Sequence, residues 1–522
     1  MTELQLTIPA QDRDSRGVRL KPREVRQWLQ NLPYMDAPRT LQLANQQLRL
    51  LNRQVIAPGA RLEILDEFLR TYQRLSETAP GDPADAATLQ PLLKHLSQNI
   101  GFGYKILVQV LATGKGGFFD TRHLPAAMLG AVHALGQQLI HYYIHYQRVP
   151  RALWGECLTV FRHAQRSNRS GYTARLGGNE PIAIDASFRL IALLKLADPY
   201  QLRPGMLAAL QHYFRSHIDL THMGTPDHDL DAAILKVPAN DQRLHSSESD
   251  GIAIDITALL KQMQNDILRL EKHQDQTQIG GMAAGVPGSL LLATLKKILG
   301  YWEERRERST AREDAAISIE LVVGLEAAYC AINGNRPFDP KLYLTGDEDN
   351  HINIGAPAAS DAAPRNSPSE TLQCMTMNRN SGGLGIGYRG AAASPRVGQL
   401  LAARRAPPTP GNWVLGVFRW LAERESMNGF DAGLQYLAGE PVAAVIRPLD
   451  TNETAGGFQP AITADQKRGE QSVRTIIACV NQLHTGAAFT LYDNRGVQHR
   501  ARCIELLESG SGFDRFIYQL LS

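Results

Sequence analysis

Hydrophobic residues recur every three to four positions in the first part of the chain and every second position in the last part. One apolar stripe of the first part consists of Leu41, Ala44, Leu48 and Leu51. This spacing places all four side chains on one face of a helix. Proline and glycine breaks, such as the one at 57–59, separate successive stripes. Residues 1–280 are therefore predicted to form a helical domain.

The later part of the chain favours β structure. Strand-like segments occur in the order LQCMTM, VGQLLAAR, NWVLGVFRWLAER, DAGLQYLAG and PVAAVIRP. Short apolar runs between glycine and proline turns are typical of a small antiparallel barrel. The predicted barrel domain spans 281–450, with a leading helix and a polar insert at 335–370 that is expected to be mobile. Residues 451–522 are predicted to form an additional β region, and a second barrel-like unit is one alternative there. The predicted fold class is α+β.

Composition excludes several kinds of protein. The net charge of +3 over 522 residues gives no electrostatic case for binding DNA or RNA. Five scattered cysteines without a CxxC motif indicate neither a disulfide framework nor a zinc site, and they favour a cytoplasmic location. We expect no signal peptide and no membrane insertion, since the long apolar run near residue 292 is interrupted by Lys296 and Lys297.

The segment from 301 to 323 carries the first candidate binding motif. Arg308 and Arg312 lie four residues apart, between a charged helix end and a strand predicted at 317–323. A guanidinium group presents several N–H donors in one plane, which suits phosphate and the edge of a guanine. Ordinary salt bridges with neighbouring glutamates, such as Glu304 and Glu313, are the alternative interpretation of this arginine pair.

A second motif follows about sixty residues later, in the sequence NRNSGG. Asn378 and Asn380 provide two short amides, and Gly383 allows the backbone to turn tightly or to approach a ligand closely. The alternative is an ordinary turn between two strands. Elsewhere, His141 and His145 are four residues apart, but no glutamate completes an HExxH motif. No metal site, cofactor or catalytic group is predicted, and an enzyme is not expected.

The two motifs together resemble the PilZ domain, a family of bacterial receptors for cyclic di-GMP. Its signature is RxxxR before the first strand and [D/N]xSxxG after the second. The resemblance covers roughly residues 300–450. In this chain Asn380 replaces the serine of the second motif, and Ser381 follows one position later.

The resemblance implies a ligand and a set of contacts. Cyclic di-GMP would be clamped between the RxxxR motif at 308–312 and the NxNxxG motif at 378–383. The implied ligand-binding residues are Arg308, Arg312, Asn378, Asn380, Gly383, Ser381, Arg305 and Arg306. The last two arginines would contact a second ligand molecule. Binding would change the domain arrangement and signal to a protein partner through the helical domain. The alternative function is an interaction scaffold with a degenerate barrel that binds no nucleotide.

Overall fold

The computed structural model divides the chain into two compact units. The first contains 1–199 and 205–305, and the second contains 200–204 and 306–522. The structure describes residues 4–12, 21–77, 83–113, 120–178, 180–224, 233–237, 252–272, 288–303, 313–314, 316–343, 371–380, 382–390, 395–407, 411–424, 428–449, 457–468, 471–494 and 496–521.

The first unit is mainly helical, as the period of its apolar residues predicts. Its helices are α1 Pro22–Gln30, α2 Ala37–Leu51, α3 Pro58–Glu77, α4 Pro83–Ala112, α5 Leu124–Ile144, α6 Arg151–Arg166, α7 Ile184–Leu196, α8 Met206–Ser216, α9 Thr257–Lys272 and α10 Gly288–Glu303. The stripe predicted from Leu41 to Leu51 is buried on α2. Asp36 caps this helix by accepting a hydrogen bond from the Arg39 N–H at 2.9 Å, which satisfies a donor of its first turn.

Five short strands complete the first unit. They are β1 Thr173–Ala174, β2 Ile182–Ala183, β3 His222–Met223, β4 Ile234–Val237 and β5 Ile252–Asp255. The first two form a two-stranded sheet, and the other three form a second sheet in the order β3-β5-β4. Within the described ranges, no helix combines the length and the apolar character needed to span a membrane.

The second unit begins with a six-stranded closed barrel. Its strands are β7 Ser318–Val323, β8 Leu372–Asn380, β9 Gly383–Arg389, β10 Leu400–Arg405, β11 Val414–Glu423 and β12 Gly429–Tyr436. They follow the order β8-β7-β10-β11-β12-β9, and pairing between β8 and β9 closes the ring. A two-residue strand, β6 Glu313–Asp314, adds to the free end of β8.

A second closed barrel follows. Its strands are β13 Pro441–Pro448, β14 Gln459–Arg468, β15 Gln471–Ala478, β16 Ala488–Tyr492, β17 Gln498–Ser509 and β18 Asp514–Leu520. The order is β13-β14-β15-β18-β17-β16, with β13 paired to β16 to complete the ring. The additional β region is thus a barrel, and the predicted α+β class is confirmed.

One apolar cluster joins the two barrels through a short helix, α11 Leu325–Ile332. Ala328 of this helix is fully buried, between Val417 of the first barrel and Ile462 of the second. Burying a side chain of valine or isoleucine size stabilises a fold by about 1.5–3 kcal/mol. The two barrels therefore share a core and are not independent domains.

Two expectations differ from the structure. Strand β13 was assigned to the first barrel, but its pairing with β14 and β16 places it in the second. The polar composition of 452–470 predicts a connection without strands, yet β14 lies within it, because Ala461, Ile462 and Ala464 bury small or apolar side chains between polar ones. The predicted domain limits at 280 and 450 stay predictions.

The predicted insert at 335–370 is described only up to residue 343. Phe338 and Tyr343 pack against the shared core, and the Tyr343 ring lies 5.5 Å from that of Phe458. This part of the insert is therefore packed. The rest, 344–370, lies outside the described residues.

Candidate ligand-binding site

The short strand β6 brings the two predicted motifs side by side. Glu313 pairs with Arg379, and Asp314 pairs with Asn378. Arg312 is the residue immediately before Glu313 in the chain. The residue that follows the RxxxR motif is therefore paired within the NxNxxG motif, although about sixty residues separate the two motifs in sequence. Arg305, Arg306, Arg308 and Arg312 themselves lie outside the described residues.

Asn378 provides a buried polar group at this junction. Its Oδ1 atom is buried and has no hydrogen-bond partner among the described residues. A buried acceptor without a partner costs about 1–3 kcal/mol. The backbone opposite makes room for this amide, because a Cβ atom on the paired Gly385 would lie 2.6 Å from Oδ1. The side chain thus lies against Gly385, with its Oδ1 atom directed at the backbone of β9.

Asn380 and Gly383 shape the turn between β8 and β9. The Oδ1 atom of Asn380 accepts a hydrogen bond from the Gly382 N–H at 3.1 Å, which closes the turn. Gly383 is paired with Asn380 and Gln435 and begins β9. A Cβ at Gly383 would lie 2.1 Å from the Leu434 carbonyl oxygen. This glycine therefore allows the β12 backbone to approach closely, rather than supplying a turn conformation. Ser381 lies outside the described residues.

The exterior of β9 and β12 is lined by glycines. We use the term glycine floor for Gly383, Gly385, Gly387 and Gly433. The first three alternate along β9, and Gly433 pairs with Gly385 across to β12. Paired residues and alternate residues of a strand share one face of a sheet. These glycines make room for their neighbours: the Asn378, Arg424 and Trp420 side chains lie against Gly385, Gly387 and Gly433, and the Leu434 carbonyl lies against Gly383.

Bulges in the flanking strands direct side chains onto this face. One lies between Thr376 and Asn378 in β8, and the other lies between Phe418 and Trp420 in β11. An extra residue in a strand bends it and redirects its side chains, a feature common beside binding sites. The Trp420 indole covers Gly433, where a Cβ would lie 1.9 Å from Nε1. Trp420 therefore borders the glycine floor on the side opposite Asn378.

An arginine–aspartate pair borders the glycine floor at Gly387. The Arg424 Nε and Nη2 atoms lie 2.7 and 2.5 Å from Asp431 Oδ1. Asp431 is buried, so its carboxylate depends on this arginine for charge compensation. The Arg424 Nη2 atom also lies 4.0 Å from the Met377 sulfur. A cavity of about 290 Å³ opens beside the pair and is lined by Gln373, Met375, Met377, Gly387, Arg389 and Arg424.

Arg419 connects the same face to the second barrel. Its Nε donates to Gln435 Oε1 at 2.6 Å, and its Nη1 lies 2.7 Å from Glu508 Oε1 on β17. Nearby, burial raises the pKa of the Tyr436 hydroxyl, and the positive charge of Arg379 partly opposes this shift. The two arginines of this face, Arg419 and Arg424, are thus each paired with a carboxylate, Glu508 and Asp431.

The predicted residues and the observed site agree in part. Asn378, Asn380 and Gly383 lie together at one end of the glycine floor. Trp420, Arg424 and Asp431 were not among the predicted site residues. A sequence signal for this face did exist, since the alternation of Gly383, Gly385 and Gly387 with Leu384, Ile386 and Tyr388 describes a strand with one bare face.

Other chemistry is not supported within the part of the chain that the structure describes. No group of three or more His, Cys, Asp or Glu residues is arranged to hold a metal ion there. His141 is buried and bonds through Nε2 to the Tyr72 hydroxyl at 2.7 Å. Burial and the charges of His145 and Lys94 lower the pKa of His141 to about 4. This histidine is thus a neutral core residue.

Comparison with known proteins points to receptors for the same nucleotide. Residues 23–227 match a family model described as the N-terminal domain of the cyclic-di-GMP receptor FimW. The cyclic-di-GMP receptor FimW of Pseudomonas aeruginosa is 22% identical over 344 residues, which cover 62% of this chain and 55% of the relative. This chain therefore spans little more than half of that relative's length. The predicted resemblance to cyclic di-GMP receptors is confirmed by these matches, one of which falls on the helical unit.

Proposed function

We propose that this chain is a cytoplasmic effector that binds cyclic di-GMP on the first barrel. The observation that carries the proposal is the pairing of β6 with β8, in which Glu313, the residue after Arg312, pairs with Arg379, and Asp314 pairs with Asn378. An RxxxR segment is thus followed directly by a strand that pairs with the asparagine motif, next to the glycine floor. The similarity of the helical unit to a cyclic di-GMP receptor supports the same ligand independently.

The chemistry of the ligand suits these groups. Cyclic di-GMP presents two phosphates and two guanines. Arg308 and Arg312 donate hydrogen bonds to a phosphate and to the O6 and N7 atoms of a guanine. The unpartnered Oδ1 of Asn378 accepts a hydrogen bond from the guanine edge, which relieves the cost of its burial. Asn380 and Ser381 contact the ligand next to Asn378. Gly383 adds no side chain to the glycine floor.

Binding has no catalytic step and acts by fixing a segment. The Arg308–Arg312 segment is held against the first barrel when the ligand is present, and this changes the arrangement of the helical unit and the barrels. A protein partner binds the helical unit and responds to this change. Arg305 and Arg306 contact a second ligand molecule where two are stacked. Beyond the ligand, the proposed mechanism requires no cofactor and no metal ion.

Titration calorimetry of the purified chain with cyclic di-GMP tests the proposal. Arg308→Ala and Arg312→Ala should each weaken binding by about 1–3 kcal/mol, because each removes one bidentate contact. Arg162→Ala/Arg166→Ala is a matched control, since it removes an RxxxR pair on helix α6 of the helical unit. GTP serves as the control ligand.

Three results separate the possible functions. Binding of cyclic di-GMP that is weakened in the Arg308 and Arg312 variants, but not in the α6 control, supports the receptor. Binding that is unchanged in every variant would place the ligand elsewhere. No binding to the unaltered chain would overturn the receptor and favour a scaffold that binds only a protein partner.

A further inference from the structure

The cavity beside Arg424 continues the proposed binding face beyond the asparagine motif. Gly385 pairs with Asn378, and Gly387, two residues along the same strand, lines the cavity. Its walls are mainly apolar, because Met375 and Met377 form one side. Methionine is flexible and polarisable, and its sulfur makes favourable contacts with aromatic rings. An aromatic base fits these walls better than a phosphate or a sugar does.

Arg424 lies flat across the sheet because Gly387 has no side chain. A Cβ at position 387 would lie 2.8 Å from Arg424 Nη2 and 3.4 Å from Asp431 Oδ1. Asp431 engages the Nε edge of the guanidinium and fixes its plane. A guanidinium has five N–H donors, so one carboxylate oxygen leaves further donors for another partner. The side chain is 25% exposed and is one of those that line the cavity.

The size of the cavity limits which part of the ligand it can hold. Pockets that enclose a drug-sized molecule typically measure about 300–1,000 Å³. At about 290 Å³, this cavity is too small for a whole cyclic dinucleotide but has room for one base. The remainder of the ligand then lies over the glycine floor, with its other base at Asn378.

We propose that this cavity is a second base subsite and that Arg424 recognises the guanine bound there. The guanidinium, oriented by Asp431, donates hydrogen bonds to O6 and N7, a pattern that guanine presents and adenine does not. Met375 and Met377 pack against the ring. This inference rests on the proposed function, and it makes Arg424 a determinant of ligand specificity.

Arg404 provides a matched control on the same barrel. Its Nε and Nη2 atoms both lie 2.7 Å from Glu320 Oε2, and the side chains of this pair are 28% and 12% exposed. The corresponding values for Arg424 and Asp431 are 25% and 8%. Arg404 packs over Trp413, 4.4 Å from the ring centroid, and is not among the residues of the cavity. Arg424→Gln and Arg404→Gln therefore break equivalent ion pairs, of which one faces the proposed subsite.

The test measures affinity for three ligands: cyclic di-GMP, 3′,3′-cyclic GMP-AMP and cyclic di-AMP. The unaltered chain should prefer cyclic di-GMP over the mixed ligand by roughly tenfold, since the mixed ligand offers adenine to one of the two subsites. Arg424→Gln should weaken cyclic di-GMP binding by about tenfold and leave affinity for the mixed ligand nearly unchanged. The preference should thus nearly disappear. A loss of fold would lower both affinities equally.

A second variant keeps the test independent of the ion pair. Met375 is 48% exposed, so Met375→Ala removes a cavity wall without opening the barrel core. It should weaken cyclic di-GMP several-fold, and Arg404→Gln should not. Normal discrimination in Arg424→Gln, with the unaltered chain binding cyclic di-GMP, would overturn the subsite and leave the proposed function standing. Failure of the unaltered chain to bind would overturn both.

Discussion

The two barrels of the second unit have the same number of strands but differ in the glycine content of those strands. Strands of the first barrel contain Gly383, Gly385, Gly387, Gly416, Gly429 and Gly433. The six strands of the second barrel, all within the described part of the chain, contain no glycine. Glycine weakens a strand, so its concentration on one barrel calls for a reason other than stability.

The difference separates the proposed binding surface from a barrel that supports it. In the first barrel the glycines are gathered on β9 and β12, with the bulges, Trp420 and the Arg424–Asp431 pair around them. In the second barrel, residues such as Ile446, Phe489 and Phe516 are almost fully buried. The first barrel therefore concentrates its glycines beneath the polar and aromatic side chains of one outer face, whereas both barrels contribute residues to the shared core.

The largest effect is expected where a glycine faces backbone. Gly383→Ala should destabilise the first barrel by about 1–3 kcal/mol, because its Cβ would lie 2.1 Å from the Leu434 carbonyl oxygen and the strand must shift. Gly416→Ala is the matched control, since its Cβ would lie 3.1 Å from the Gln435 carbonyl oxygen. Hydrogen exchange of β9 and β12 peptides measures both effects. Equal protection in the two variants would refute the role assigned to Gly383.

A smaller effect is expected from the ionisation of two buried thiols, one in each barrel. Burial raises the pKa of Cys374 in β8 and of Cys503 in β17 from 9.0 to about 12. In the folded state each thiol therefore stays protonated when the unfolded chain ionises. Its stabilising effect is complete below pH 9 and is lost as the pH rises towards 12.

Alkylation followed by mass spectrometry measures the reactivity of the thiol in each barrel separately. Both thiols should react slowly at pH 8 and increasingly faster above pH 9. Cyclic di-GMP should slow the reaction of Cys374 more than that of Cys503, because the proposed site lies on the first barrel. Equal protection of both thiols would show that the barrels open together, so that the comparison between them would not extend to their dynamics.

The smallest effect concerns the link between the barrels. Arg419→Met breaks the ion pair with Glu508, whose members are 34% and 17% exposed. Partly exposed pairs contribute about 0–1 kcal/mol, so the fold should persist. Ligand-induced protection of β17 peptides from hydrogen exchange should nevertheless decrease, with Glu508→Gln giving the same result. Undiminished protection in both variants would show that the shared apolar core alone connects the barrels.

Much of the architecture was predictable because periodicity reports burial directly. The helical stripes and β7, β8, β11 and β12 all follow from the spacing of apolar residues. Strand β9 was not predicted, since glycine is depleted in strands and three of its seven residues are glycine. Strand β14 was missed because Ala461 and Ala464 are small and its other residues are mostly polar.

The site was predictable only where it is continuous in sequence. The asparagine motif occupies six consecutive positions, 378–383, and its place at the barrel edge follows from the strand before it. The Arg424–Asp431 pair depends on the pairing of β11 with β12, and its contact with Gly387 depends on the pairing of β12 with β9. Register between distant strands is set by the whole barrel, so local sequence does not reveal these neighbours.

The short connection between the barrels limits how this protein can be divided. Strand β12 ends at Tyr436 and β13 begins at Pro441. Within this connection Leu437 belongs to the shared core, and Gly439 has a φ of 102° with its backbone pressed against Asp465. A fragment cut here would expose apolar surface on both sides. Recombination or engineering that transfers the proposed cyclic di-GMP site to another protein should therefore move both barrels together.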